Sequence, residues 1–314
     1  MKRPLVILTG PTAVGKTSLS IKLAKQIGGS IVSCDSMQVY RKMDIGSAKI
    51  RPEQMEGIPH YLIDILDPDE EFHVSRFCDL ANEAVHEIYA YGRIPILTGG
   101  TGFYLHAFRY GSRFDGDGRD DTYRALLEKK AEEEGNDALY QKLLMVDPQA
   151  ARKIHPNNRK RMIRALEYHH LTGGKISDHN ESEQKRPKAF NDACFVLTCD
   201  RAELYRRIEK RVDRMMQEGL LSEVSALAAE GLDQNTVSMQ GLGYKQLLKY
   251  LDGECTLDEA VSNIKRDTRH FAKRQLTWFR SEPDTVFIDK DDFDWDEERI
   301  LAFLLKELEE KKIL

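Results

Sequence analysis

The run Gly10-Pro11-Thr12-Ala13-Val14-Gly15-Lys16-Thr17 sets two glycines, a lysine and a threonine at the spacing G-x-x-x-x-G-K-[ST]. Those residue types at those intervals hold phosphate. Glycines let the backbone curl so that successive N–H groups point inward. A helix starting at the end of the loop adds partial positive charge. Lys16 contributes a full charge, and the Thr17 hydroxyl is placed to ligate Mg²⁺. The motif implies a diphosphate or triphosphate without naming the compound. Asp35 then closes the apolar run SIVSC. A carboxylate there could bind a magnesium-held water, take a proton from an incoming nucleophile, or cap a turn.

The surrounding pattern says what positions these residues. PLVILT precedes the loop as a short apolar strand. Leu19, Leu23 and Ile27 then repeat at helical spacing, and Gly28-Gly29 ends that helix. SIVSC is a second buried strand, HYLIDIL (60–66) a third and IPILT (94–98) a fourth. Between the last two, Ser75 can cap a helix with Phe77, Ala81, Ala84 and Ile88 on one face and Gly92 past its end. Such alternation implies a parallel sheet covered by helices, with Asp35 at the carboxyl end of a strand, where ligands bind.

The rhythm breaks near Gly111. RFDGDGRDD reads as a linker, 120–171 as wholly helical, and the polar 171–188 as a mobile stretch. CFVLTCD (194–200) returns to strand, and TVFID (285–289) is one more strand in a mostly helical remainder. The expected fold class is α/β: a P-loop NTPase-like core with a parallel β-sheet flanked by helices, plus an all-helical insertion domain. Residues 1–111 form the first part of the core, 112–185 the insertion and 186–314 the second part.

Composition narrows the class further. The 314 residues are 41% hydrophobic and 32% charged, which suits a globular protein. No apolar run approaches membrane-spanning length, so no membrane is expected. MKRPLVILTG is too short in its apolar part for a signal peptide. Five scattered cysteines, none in a C-x-x-C pair, fit a reduced cytoplasmic protein. The nine histidines show no metal-ligand spacing. The net charge of −5 hides segregation: residues 152–215 carry 16 Lys/Arg against 9 Asp/Glu, and residues 281–298 carry 9 acids and one Lys. A basic middle with an acidic tail fits a polyanion-binding surface, or simply solvated helix faces. IPILT ends in Thr98-Gly99-Gly100-Thr101 rather than in a magnesium-binding Asp, and no N-K-x-D motif occurs. A GTPase switch is excluded on those grounds.

From GPTAVGKT through SCDSMQVYRKMDIGSAK, HYLIDILDP, GGTGFYLHA, HPNNRKRMIRALE and GLGYKQ to AKRQLTWFR, the chain resembles the tRNA dimethylallyltransferase family, also called tRNA isopentenyltransferases or IPP transferases. The eukaryotic members' C-terminal zinc finger is missing, so the resemblance is to the bacterial type. It implies transfer of a dimethylallyl group from dimethylallyl diphosphate to the exocyclic N6 of the adenosine 3′ of the anticodon in tRNA. It implies Mg²⁺ as cofactor, the anticodon stem-loop as partner and a monomer in the cytoplasm. Matched position by position, Asp35 falls on the general base. Thr12 and Lys16 fall on diphosphate contacts, and Thr17 on the magnesium-side hydroxyl. Asp35, Ser36, Met37 and Gln38 fall on a tRNA-contacting segment, as do Arg159, Lys160, Arg161, Met162 and Ile163. Thr101 falls on a tRNA contact, and Arg124 on another in a segment of variable spacing. An arginine of YRRIEKRVDRMM reaches the diphosphate; Arg211 is the choice, with Arg207 the alternative.

The chemistry suits these residues. Breaking an allylic C–O bond puts charge on the diphosphate, where fixed N–H donors and Lys16 stabilise it. An adenine amine is a poor nucleophile that a carboxylate can help by removing its proton. Gln38 could read an adenine edge, or lie on the surface. Lys160, Arg161 and Arg164 share one side of their helix, and Arg266, Arg269, Lys273 and Arg280 form a second basic stripe. The Phe271, Leu276, Trp278 and Phe279 of that second helix read as core. In YRRIEKRVDRMM, Leu204, Ile208 and Val212 form one face and Arg207, Arg211 and Arg214 another. Two other functions remain open on the residues alone: a small-molecule P-loop kinase, and a non-catalytic RNA-binding module gated by nucleotide.

Overall fold

The computed structural model describes residues 2–112 and 120–314. The chain forms two compact units: Met1–Arg109 together with Lys188–Leu314, and Tyr110–Pro187. Most of the stretch expected as a linker, residues 113–119, lies outside the described residues.

In the larger unit the chain runs β1 (Pro4–Thr9), α1 (Lys16–Ile27), β2 (Gly29–Cys34), β3 (His60–Tyr61), α2 (Val74–Ala90), β4 (Ile94–Gly99) and α3 (Gly102–Tyr110). In the smaller unit it forms α4 (Asp121–Glu134), α5 (Asn136–Val146), α6 (Pro148–Lys153), α7 (Arg159–Thr172) and α8 (Ile176–Gln184). Returning to the larger unit, it forms β5 (Asn191–Thr198), α9 (Arg201–Glu218), α10 (Leu220–Ala229), α11 (Tyr244–Leu251), α12 (Leu257–Ser281), β6 (Thr285–Asp289) and α13 (Glu297–Glu310).

The six strands make one sheet in the order β3-β2-β4-β1-β5-β6, every neighbouring pair parallel. Continuous apolar runs such as Leu5, Val6, Ile7 and Leu8 are each 0% exposed, as strands covered on both faces require. Crossing from β2 to β4 to β1 puts the ends of three strands side by side. Thr9 aligns with Gly99, and Cys34 with Gly99 on the other side. A Cβ on Gly99 would overlap the Cys34 carbonyl, so only glycine permits that approach.

Three local readings need correction. HYLIDIL gives only a two-residue strand, because Leu62 and Asp64 take φ of 63° and 55° and turn the chain off the ladder. Its second half braces the segment after Asp35 instead: the N–H groups of Ile65 and Leu66 donate to the Val39 carbonyl at 2.9 and 3.1 Å. Helix α2 is capped by His73, whose Nδ1 accepts from the Arg76 N–H, and Ser75 lies inside the helix. The polar 171–188 contains α8. Gly173, at φ 70°, ends α7, and Asp147 accepts the Ser177 N–H at 2.9 Å to start the next helix.

The smaller unit has a core of its own: Leu127 and Ala131 from α4, Leu139 and Leu143 from α5, Ala150 and Ala151 from α6, and Met162, Ile163, Ala165 and Leu166 from α7. The carboxylate of Glu167, 0% exposed, pairs with Arg124 at 2.8 Å and Arg164 at 3.2 Å.

Candidate active site

The phosphate loop is held from several sides. Gly10 and Gly15 have φ of 144° and 97°, values glycine tolerates, and Ala13 has φ 67°. A Cβ on Gly10 would sit 2.5 Å from the Leu197 carbonyl oxygen of β5. Lys16 Nζ donates back to the carbonyls of Gly10 (2.9 Å) and Pro11 (2.8 Å), closing the loop over its own start. Arg207 Nε donates to the Ala13 carbonyl at 2.9 Å, and Arg211 Nη1 donates to Thr12 Oγ1 at 3.3 Å. Both arginines weighed from the sequence therefore reach the loop. They lie on α9 beside its buried stripe of Leu204, Ile208 and Val212. Val14 is 0% exposed and anchors the loop in the core. Thr17 stands exposed in the first turn of α1.

Behind Gly15 lies a cationic stack that no motif announced. The Arg207 guanidinium sits 4.7 Å and Lys290 Nζ 4.9 Å from the Trp295 ring centroid. Lys290 is 2% exposed, and its Nζ would meet a Gly15 Cβ at 3.0 Å. The acidic run 281–298 organises this flank. Asp291 accepts from Trp295 Nε1 at 2.7 Å, and Glu297 accepts from Ser18 Oγ at 2.6 Å.

Asp35 follows β2 directly. Its Oδ1 accepts the Met37 N–H at 2.9 Å, which fixes the carboxylate in an Asx-type turn. Ser36 N–H donates to Thr101 Oγ1 at 3.3 Å, and Thr101 N–H to the Cys34 carbonyl at 3.3 Å. Asp35, Ser36 and Thr101 are thus brought together at the ends of β2 and β4. Gln38 is half-buried, and its amide is engaged within the protein: Oε1 accepts from Ser33 Oγ at 3.0 Å. Met37 lies against Gly241. Glu223 of α10 accepts the N–H groups of Asp44, Ile45 and Gly46 at 2.8–3.0 Å and pins the rest of this segment.

Electrostatics couples the two halves. Burial, then the Arg211 charge, pulls Lys16 down to about 7, against an opposing pull from Asp35. Burial pushes the Asp35 carboxyl above its usual range, while the Met37 N–H and Lys16 restrain the rise. Burial and the charges of Arg214 and Arg207 lower Arg211. The site thus sets several cations beside one carboxylate made more basic than usual.

In the smaller unit, Lys160 and Arg161 are exposed on the first turn of α7. Arg159 is half-buried and bonds Asn136 Oδ1 at 3.0 Å. Met162 and Ile163 are 0% and 3% exposed and pack in that unit's core. Arg124 is bound to Glu167, as described above. On α12, Phe279 is buried, but Phe271, Leu276 and Trp278 are only half-buried, so that aromatic row is a partial core. Gln275, also on α12 and 6% exposed, touches both loops and was not expected from its residue type.

A family model described as IPP transferase matches residues 38–282. The chain belongs to the IPP transferase family. It is 54% identical over 312 residues to a tRNA dimethylallyltransferase of Lachnoclostridium phytofermentans, covering 99% of each chain. It is 50% identical over 296 residues to that of Acetivibrio thermocellus, covering 94% of this chain and 95% of the other. Among solved structures, a full-length tRNA isopentenylpyrophosphate transferase from Bacillus halodurans matches with a TM-score of 0.74 at 45% identity, over 99% of this chain and 98% of that one. A eukaryotic dimethylallyltransferase acting on tRNA matches with a TM-score of 0.82 at 31% identity, over 98% of this chain and 80% of that one. For an IPP transferase, the parallel sheet flanked by helices is the shared fold, and the resemblance read from the ordered sequence blocks is borne out.

Proposed function

We propose that this IPP transferase moves a dimethylallyl group from dimethylallyl diphosphate to the exocyclic N6 of the adenosine 3′ of the anticodon in tRNA, releasing diphosphate. The relatives' names support prenyl transfer rather than phosphoryl transfer from ATP, and an enzyme rather than a passive RNA-binding module. The single observation that carries the residue roles is geometric: the phosphate loop and the half-buried Asp35 follow β1 and β2, on either side of β4 in one parallel sheet, with Thr101 after β4 bonded to the Asp35 turn.

In this reading, residues Gly10 to Thr17 cradle the diphosphate, with Lys16, Arg207 and Arg211 around it. Lys16 swings from the Gly10 and Pro11 carbonyls to the anion and regains a full charge there. Those donors are fixed before the C–O bond breaks, so they stabilise the leaving group without reorganising. Asp35, held by the Met37 N–H and made more basic by burial, accepts the adenine amino proton as nitrogen attacks carbon. General-base help of this kind is worth about 10²–10⁴-fold. Thr101 and Ser36 line the acceptor side. A base in an anticodon loop leaves its stack at lower cost than a duplex base.

Among the described residues no group of His, Cys, Asp or Glu is arranged to hold a metal on its own. The exposed Thr17 hydroxyl would hold Mg²⁺ together with diphosphate oxygens and waters, the ion's habit beside phosphates. When bound, Mg²⁺ supplies charge neutralisation on the diphosphate. The all-helical insertion, residues 112–185, is the tRNA-binding domain of this proposal, with Lys160 and Arg161 its best-exposed cations. A monomer is part of the same reading, since one chain supplies every residue named. A cytoplasmic location also belongs to it, and four buried, unbridged cysteines favour that. No described helix is long and apolar enough to cross a membrane. The test is incubation of labelled dimethylallyl diphosphate with unmodified tRNA and Mg²⁺, without ATP. Label should appear on the adenosine; label left wholly on the donor overturns the proposal.

A further inference from the structure

Helix α12 buries a stripe made of Ala260, Ile264, Thr268, Ala272, Gln275 and Phe279. A primary amide in such a stripe is costly unless both of its ends are bonded. Both ends of Gln275 are bonded, and to different loops. Its Oε1 accepts the Thr12 N–H of the phosphate loop at 2.9 Å. Its Nε2 donates to the Gly100 carbonyl, at the turn leading to Thr101, at 2.8 Å. A Cβ on Gly100 would overlap that Nε2, so the turn approaches the amide as closely as glycine allows.

The ladder between β1 and β4 ends where Thr9 meets Gly99, reinforced by Thr9 Oγ1 donating to the Gly99 carbonyl at 2.7 Å. Gln275 carries the link between the two loops past that end. On one side it holds Thr12, whose hydroxyl receives Arg211. On the other it holds the turn whose next residue, Thr101, receives the Ser36 N–H beside Asp35. The bonds from Lys16 and Arg207 shape the phosphate loop internally, but they do not reach the β4 turn.

We propose that Gln275 is a positioning residue, a single amide that sets the spacing between the diphosphate cradle and the Asp35–Thr101 acceptor loop. It touches neither reacting atom. It fixes how far the leaving group lies from the base, and it occupies the Thr12 N–H, so the anion is held by the amides that follow. This role rests on the prenyl-transfer reading for its kinetics but not for its geometry. Because the cradle keeps its other supports, loss of the clamp lowers kcat more than it weakens donor or tRNA binding.

The test uses Gln275→Met and Gln275→Glu in the full chain, each compared with wild type at the same pH. For Gln275→Met, kcat falls on the order of 10²-fold, the loss expected from a misplacement of about 1 Å. The dissociation constants for inorganic diphosphate and for an anticodon stem-loop stay within about threefold, well short of that factor. Gln275→Glu matches the Met variant at about pH 8, where a carboxylate faces the Gly100 carbonyl. It recovers toward wild type at about pH 5.5, because a protonated carboxyl donates to Gly100 and accepts from Thr12 as the amide does. A Met variant with wild-type kcat, or a Glu-to-wild-type ratio that is flat with pH, overturns the proposal. Hydrogen exchange at the Thr12 amide is read in parallel: slow in wild type, fast in Gln275→Met. If wild type transfers no dimethylallyl group, the functional reading fails, and the exchange rate alone still decides the clamp. Equal exchange in wild type and Gln275→Met refutes it; where the Met variant is too unstable for kinetics, the pH dependence of the Gln275→Glu to wild-type ratio decides, and a flat ratio refutes it.

Discussion

Lys16 offers a pH signature that the geometry sets in advance. In the free protein its ammonium is drawn down to about 7 by burial and by Arg211. A bound diphosphate supplies the missing counter-charge and returns the group toward its ordinary value near 10.4. The complex therefore needs a proton that the free protein has begun to lose. Affinity is complete below that value and declines as pH rises through it. The expected penalty on the dissociation constant is a factor of 1 + 10^(pH − 7), about tenfold between pH 6 and pH 8. Proton uptake on binding rises from about 0.1 at pH 6 to about 0.9 at pH 8. Calorimetric titration with inorganic diphosphate and Mg²⁺, in two buffers of different ionisation heat, counts those protons. The baseline is Lys16→Arg, whose guanidinium stays charged across this range, so its residual slope belongs to the ligand. Equal proton counts in wild type and Lys16→Arg at about pH 8 would refute the reasoning, because Lys16 would then be charged before the anion arrives.

Asp35→Asn should lower kcat by about 10²–10⁴-fold while the dissociation constant for tRNA stays within about twofold; equal losses in turnover and binding would make Asp35 a contact rather than a base. Gly99→Ala pushes a Cβ into the Cys34 backbone and should cost about 3 kcal/mol of stability, read from the urea midpoint, and an unchanged midpoint would contradict the close approach of β2 and β4. Lys160→Ala and Arg161→Ala should each weaken tRNA binding and reduce its log–log salt slope by about 0.7; a slope unaffected by both changes would remove the start of α7 from the RNA surface.

How legible all this was in the sequence depends on range. The phosphate loop could be read because its chemistry is packed into eight consecutive residues at fixed spacing. Five of the strands, β1, β2, β4, β5 and β6, could be read because a parallel sheet covered by helices favours unbroken apolar runs. The two-residue β3 could not, since nothing in Leu62 or Asp64 declares a positive φ that tertiary contacts impose. Helix α8 was hidden by polarity, its start supplied by Asp147 from thirty residues upstream. The acidic run 281–298 suggested solvation but turned out to cap helices and to hold Ser18 and Trp295. Gln275 and Glu223 left no signal at all. Each bonds backbone groups far away in sequence, and a buried amide or carboxylate has the same letter as an exposed one. Within YRRIEKRVDRMM the spacing gave Arg207, Arg211 and Arg214 on one face, and the first two reach the phosphate loop.

The central claim is that the cradle holds a departing diphosphate, so carbon and not phosphorus is attacked. It is tested most directly with dimethylallyl diphosphate carrying heavy oxygen in the bridge between carbon and phosphorus. A single turnover with unmodified tRNA should leave all of that oxygen in the released diphosphate, and the adenosine should gain one dimethylallyl unit. Heavy oxygen retained in dimethylallyl alcohol, with the diphosphoryl group carried to the acceptor, would contradict the account.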